Sequence, residues 1–196
     1  MKNTIKTIIL LGVFSTTMLS CDEKTDLPYF DTPFYKETFE DGTFENWTKY
    51  SEQGTQVWET VNFGNPGVCA KMSGYNGSSD DANVDWLISP VQDLSSLGNA
   101  SVNFDNAYKF DGKPIEVYVS NNYSGTGNPN AVGVTWTKVN GAKLSTGNYA
   151  YVNSGNLDIS NFTGEGNATV YIAFKYTCDT SASSTWELDN IKIYGN

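Results

Sequence analysis

The chain has 196 residues, 22 acidic and 12 basic, for a formal charge of −10; histidine is absent and every basic residue is lysine. Without histidine or arginine there is no Ser-His-Asp or Cys-His nucleophile, no imidazole zinc site and no bidentate phosphate fork. The acidic balance also excludes the basic footprint of a nucleic-acid binder.

In chain order, Lys2 and Lys6 precede an apolar run over residues 8–14, and a smaller, more polar stretch ends at Cys21. This is a secretory signal pattern, too short and too abruptly followed by charge to be a stable membrane span. Met18-Leu19-Ser20-Cys21 resembles a bacterial lipobox. The resemblance implies that residues 1–20 are removed and that Cys21 is lipidated, the only contact with a membrane; an ordinary signal with a chance cysteine is the alternative. Lys2 and Lys6 leave with the signal, which takes the formal charge from −10 to −12. Asp22, Glu23 and Lys24 resemble the acidic signal that sends lipoproteins of Bacteroides-like bacteria to the outer face of the outer membrane. The expected location is therefore an outer-membrane lipoprotein, surface-exposed or else facing the periplasm. Residues 21–35, with Pro28 and Pro33, read as a flexible tether, and residues 36–196 as a single domain.

The domain carries short β-type runs and no helical apolar stripe. Residues 56–61 surround Trp58, and runs follow at 68–72 and 86–89. Val102-Phe104-Asn106-Tyr108-Phe110 alternates, as do Ile115-Val117-Val119 and Val170-Ile172-Phe174-Tyr176, and residues 132–139 and 185–194 complete the candidates. Gly, Asn, Asp and Ser concentrate between them, at 64–67, 74–82, 111–114, 121–130 and 161–167. About ten strands at short spacing predict an all-β, two-sheet sandwich, although a barrel would share the rhythm. In the last run Trp186 and Leu188 have one parity, Ile191 and Ile193 the other. A one-residue bulge near Asp189-Asn190 would place all four on the core face and marks Asp189 for attention.

Asp85-Trp86-Leu87-Ile88-Ser89-Pro90, followed by Asp93-Leu94, resembles the signature of "choice-of-anchor J" domains and the related cleaved-adhesin domains of Bacteroides-group surface proteins. Segments in the same order extend the likeness over residues 34–196: Phe39-Glu40-Asp41-Gly42 with Trp47, then Trp58, Ala70-Lys71-Met72-Ser73-Gly74-Tyr75, the strand and loop over 117–125, Trp136, Ile172-Ala173-Phe174-Lys175-Tyr176 and Trp186-Glu187-Leu188-Asp189-Asn190-Ile191. The resemblance implies a jelly-roll β-sandwich of two antiparallel sheets, with galactose-binding-like or concanavalin-like architecture. It leaves function open among carbohydrate-binding modules, adhesins and accessory domains.

Jelly rolls like those it resembles commonly hold a structural calcium where the first and last strands meet. Carried over, the ligands would be Glu40 and Asp189, with Asp41 or the backbone near Gly42, since calcium takes six to eight hard oxygens. Otherwise Glu40 and Asp41 are turn residues and Asp189 caps backbone amides. Asp80, Asp81 and Asp85 read as a solvated loop cluster. A glycan site would need exposed rings edged by polar groups, because ring faces stack on sugar C–H faces; the candidates are Tyr75, Tyr123, Tyr149 and Tyr151. Tyr108 has core parity, and Trp47, Trp58, Trp86, Trp136 and Trp186 read as core. In an exported protein Cys69 and Cys178 either close a disulfide or stand as two small buried thiols. The expectation is a non-catalytic surface module that binds an extracellular carbohydrate or acts as an adhesin. The rivals are a structural or assembly protein with a surface-protein partner and a glycoside hydrolase built on two facing acids.

Overall fold

The computed structural model describes residues 32–196. The signal, Cys21 and the tether as far as residue 31 lie outside the described residues. Among the described residues twelve strands form: β1 (Tyr35–Glu37), β2 (Thr48–Gln53), β3 (Glu59–Gly64), β4 (Gly67–Ser73), β5 (Asn83–Ile88), β6 (Ala100–Lys109), β7 (Glu116–Ser120), β8 (Thr137–Val139), β9 (Val152–Asn153), β10 (Leu157–Asp158), β11 (Tyr171–Cys178) and β12 (Thr185–Gly195). One 3₁₀ turn at Ser160–Phe162 is the sole helical element among the described residues.

The strands make two antiparallel sheets. The larger runs β10-β6-β12-β4-β3, with β1 added on β12 and β9 on β6, and the smaller runs β2-β5-β11-β7-β8. Strands distant in sequence are neighbours in both sheets, and the architecture is the jelly-roll sandwich.

Alternation builds the core. Val102 and Phe104 of β6, Ile172, Phe174 and Tyr176 of β11, and Trp186 and Leu188 of β12 all turn inward. The register of β12 on β6 then shifts between Asp189 and Lys192, and Asn190 takes a φ of 49°. The extra residue restores parity, so Ile191 and Ile193 are buried as well. At the centre Phe104 meets Phe174 edge-on, ring centroids 5.0 Å apart. Truncating such a ring to alanine costs about 3–5 kcal/mol.

Trp47, Trp58 and Trp186 are buried in the core as expected; Trp86 is buried instead on the outer face of the smaller sheet, since Asp85 and Leu87 take the inward parity, and packs there on the half-buried Trp136. Residues 132–139 do not form one strand. Only Thr137–Val139 pairs, because turns closed by Ala131 N–H on Asn128 O and by Val134 N–H on Ala131 O consume the preceding backbone. Val132 is left fully exposed.

Candidate functional site

The outward-facing residues of the larger sheet form the floor of a long groove. On β4, Ala70 and Met72 face the core, so Cys69, Lys71 and Ser73 face outward; on β12, Thr185, Glu187 and Asp189 do the same. Lys71 stands opposite Glu187 in the strand register.

Loops raise the walls. One cavity of about 720 Å³ is lined by Lys71, Ser73, Thr185, Tyr75, Asp80, Phe110, Asp111, Tyr149 and the turn Ser181, Ala182, Ser183. A second, of about 470 Å³, is lined by Phe63, Gly64, Lys71, Tyr149, Tyr151 and Glu187. The two share Lys71 and Tyr149 and so form one continuous groove. Tyr75, Phe110 and Tyr149 are exposed on its rim, as is Phe63 at the end of β3.

The rim aromatics are held at a conformational cost. Ala150 N–H donates to Gly147 O at 3.1 Å, closing a turn whose central residues, Asn148 and Tyr149, have φ of 55° and 54°. Two successive positive φ values make this a type I′ turn, in which glycine is the usual second residue. Phe110, at the end of β6, has a φ of 68°. Bulky side chains rarely adopt this region, and such outliers gather at functional sites. The two rings meet edge to face at 6.3 Å, with the Lys109 ammonium 5.2 Å from one centroid and 5.4 Å from the other.

The floor is polar, and its acid is buried. Glu187 is only 3% exposed. Burial raises its pKa above the ordinary carboxylate range, while Lys71 and the Tyr151 phenol pull it down. Lys71 Nζ also holds Glu59 Oε1 at 2.7 Å. The Tyr151 hydroxyl is buried without a hydrogen-bond partner of good geometry, and burial, then its neighbour Cys69, raises its pKa. A buried hydroxyl in that state is a group still to be satisfied.

Of the sequence candidates, Tyr75, Tyr149 and Tyr151 thus come together. Tyr123 does not. It is 3% exposed, its hydroxyl donates to Gly127 O at 3.0 Å, and its ring packs on Trp136 and Tyr171. Its Gly-, Asn- and Ser-rich loop folds back over the outer face of the smaller sheet instead of standing in solvent. Tyr108 is half-buried and stacks on Trp186 at 4.8 Å.

Glu40 and Asp189 meet at the turn between β3 and β4. Asp189 accepts the Asn65 and Asn190 amides, each at 2.6 Å, and Glu40 Oε1 accepts Val68 N–H at 3.2 Å. Burial raises the Asp189 pKa against those amides, and the charges of Asp105 and Glu40 add to the rise. Asp41 instead closes its own turn on the backbone and hydroxyl of Thr43. Among the described residues no three His, Cys, Asp or Glu side chains converge into a group able to hold a metal ion.

Asp80 and Asp81 are half-buried loop residues that accept hydrogen bonds from Ser183 and Asn76 respectively. Asp85 departs from the solvated reading: it lies within β5 with the core-facing parity of Leu87 and is 1% exposed. Cys69 and Cys178 are both buried and both free. They belong to different sheets and different surroundings, so a bridge has no geometry to form. Cys69 faces Tyr151 outside the core, and burial pushes its thiol up to about 11. Cys178 sits in the core and donates to Asp81 O at 3.0 Å.

Phe63, Lys71, Phe110, Asp111 and Glu187 were not among the sequence candidates. Lys71 and Glu187 had a signal, as polar positions alternating with core residues on two strands. Phe110 had none, because it continues the alternation of β6 and only its backbone turns it out.

No curated protein sequence matches the chain. Among solved structures, the K1 cleaved adhesin domain of Lys-gingipain from Porphyromonas gingivalis W83 is 18% identical with a TM-score of 0.57, over 83% of this chain and 98% of that one. The K3 domain of the same protein is 17% identical with a TM-score of 0.51, over 83% and 99%. The CBM22-1-CBM22-2 tandem of Paenibacillus barcinonensis Xyn10C is 16% identical with a TM-score of 0.52, over 84% of this chain and 50% of that one. These likenesses establish a shared fold. Residues 50–194 match the family described as domain of unknown function DUF5017, and the chain belongs to that family.

Proposed function

We propose that the protein is a non-catalytic surface module that binds extracellular carbohydrate along the groove on its larger sheet. The observation that carries this reading is the convergence of Tyr75, Tyr149, Tyr151 and Phe110 on one groove, with two rims held at positive φ. Rings supply stacking faces, and Glu187, Lys71 and the unfilled Tyr151 hydroxyl supply polar contacts on the floor. The fold is shared with a tandem of carbohydrate-binding modules and with adhesin domains, which supports the same reading. A glycan array with the native domain tests it. Retention of at least one glycan class, lost in Tyr149→Ala and Tyr75→Ala, is the expected result; repeated silence removes carbohydrate and moves the reading to a protein partner.

The proposal also includes the finer identity as a choice-of-anchor J domain, anchorage through lipidated Cys21 and display on the outer membrane. Replacing Cys21 should release the protein from membranes; unchanged partitioning would refute the anchor. One structural calcium at Glu40 and Asp189 is proposed as well, supported by the meeting of the two carboxylates at a single turn.

A further inference from the structure

Resting on the carbohydrate reading of the groove, we infer that the groove selects uncharged glycans and rejects those bearing uronate or sulfate groups. Asp80, Asp111 and Glu187 line it, facing a single lining lysine, Lys71. An anionic sugar needs a cation to receive it, and the lysines around the groove already face partners, Lys113 among them at 4.0 Å from Asp179. Lys71 is paired to Glu59 at 2.7 Å and faces Glu187 across the strands, and Lys109 holds its ammonium over the Phe110 and Tyr149 rings. The whole chain adds a formal charge of −10, so the long-range field also opposes an anionic ligand.

The floor favours a neutral polyol for a second reason. Glu187 offers acceptor oxygens from an almost fully buried side chain, and the buried Tyr151 hydroxyl beside it has no partner of good geometry. Adjacent sugar hydroxyls, each both donor and acceptor, satisfy such a pair without bringing a charge into it. A carboxylate placed there would compete with Glu187 for the same two donors, Lys71 and the Tyr151 hydroxyl, and like charges a few ångströms apart repel.

The test uses matched polymers that differ only in charge: polygalacturonate and its carboxyl-reduced product, a polyglucuronate and its carboxyl-reduced product, and a sulfated galactan before and after desulfation. Binding to the native domain is measured by calorimetry alongside a neutral glycan array. In every pair that binds, the neutral member should bind at least about tenfold more tightly, and the gap should narrow at about 1 M salt, where the Debye length is roughly 3 Å. Asp80→Asn with Asp111→Asn should narrow the ratio of neutral to acidic binding at low salt by at least about threefold. Equal or tighter binding of the acidic members overturns the selectivity and leaves the carbohydrate groove standing. Silence of every pair and of the array overturns the groove reading and the selectivity with it.

Discussion

Phe110 and Tyr149, 39 residues apart in the chain, meet edge to face at 6.3 Å although each sits in the left-handed region of backbone space. An aromatic residue gains nothing from that backbone, which costs roughly 1–2 kcal/mol per non-glycine residue. The conformation does aim both rings outward over a groove. Tyr149 occupies the second central position of a type I′ turn after Asn148, where glycine is the unstrained choice. Tyr149→Gly should therefore be more stable than Tyr149→Ala by about 1 kcal/mol, although glycine has the more flexible unfolded chain. Both should lose carbohydrate binding. Denaturant melts of the two variants and binding to the array hit provide the check, and an alanine variant as stable as the glycine one would deny that the turn is strained.

The sandwich was legible because alternation repeats along strands whose two faces meet different surroundings. Even the bulge at Asp189 could be read, from the parity change between Leu188 and Ile191. The groove was legible only in part. Tyr149 and Tyr151 follow a turn-rich stretch, as does Tyr75, and loops with such sequences tend to present their side chains. Tyr123 sits in an equally glycine-rich loop, yet that loop folds down onto Trp136 and Tyr171. Loop composition tells where the chain bends and not which surface it bends toward. Asp85 illustrates the same limit from the other side, since its loop neighbours Asp80 and Asp81 suggested solvent while the start of β5 carries it into the core.

Asp85 should make stability depend on pH. Burial raises its carboxyl from the ordinary 3.8 to about 7, with the Ser51 hydroxyl opposing and the Glu52 charge adding to the rise. One of its oxygens is buried with no hydrogen-bond partner. The folded protein therefore holds this proton more tightly than the unfolded chain. The resulting stability is complete below pH about 4 and is lost as pH rises toward about 7, a change of a few kcal/mol at most. Asp85→Asn, which resembles the protonated form, should flatten that part of the profile. Urea melts between pH 4 and 8 measure both slopes, and parallel profiles would show that Asp85 is ionised in the fold.

The thiols should behave as two independent buried groups. In the native domain neither Cys69 nor Cys178 should react with a thiol reagent, because burial hides both and raises the Cys69 pKa to about 11. In denaturant both should react without prior reduction, and a reductant should leave the melting temperature unchanged. Cys178 has no room to spare, since a Cβ added at Gly74 would lie 2.2 Å from its sulfur. Gly74→Ala should therefore destabilise by roughly 1–3 kcal/mol, the usual range for overpacking. Reagent counts that rise only after reduction would instead reveal a bridge.

Asp189 serves two backbone amides at once, those of Asn65 and Asn190, each at 2.6 Å. Asn190 returns the contact by donating its side-chain amide to Asn65 O at 2.6 Å, so one carboxylate ties the β12 bulge to the β3–β4 turn. Asp189→Asn keeps a single acceptor oxygen and leaves one amide facing an N–H group. The expected loss is about 1–3 kcal/mol, the range for an unsatisfied buried donor. The proposed calcium adds a second, separable effect. If the ion binds at Glu40 and Asp189, calcium should raise the melting temperature of the native protein and not of the variant, while the loss measured in a chelator persists in both media. A variant destabilised in chelator, together with a native protein indifferent to calcium, would mean that the carboxylate acts on the amides alone, and calcium would leave the proposal.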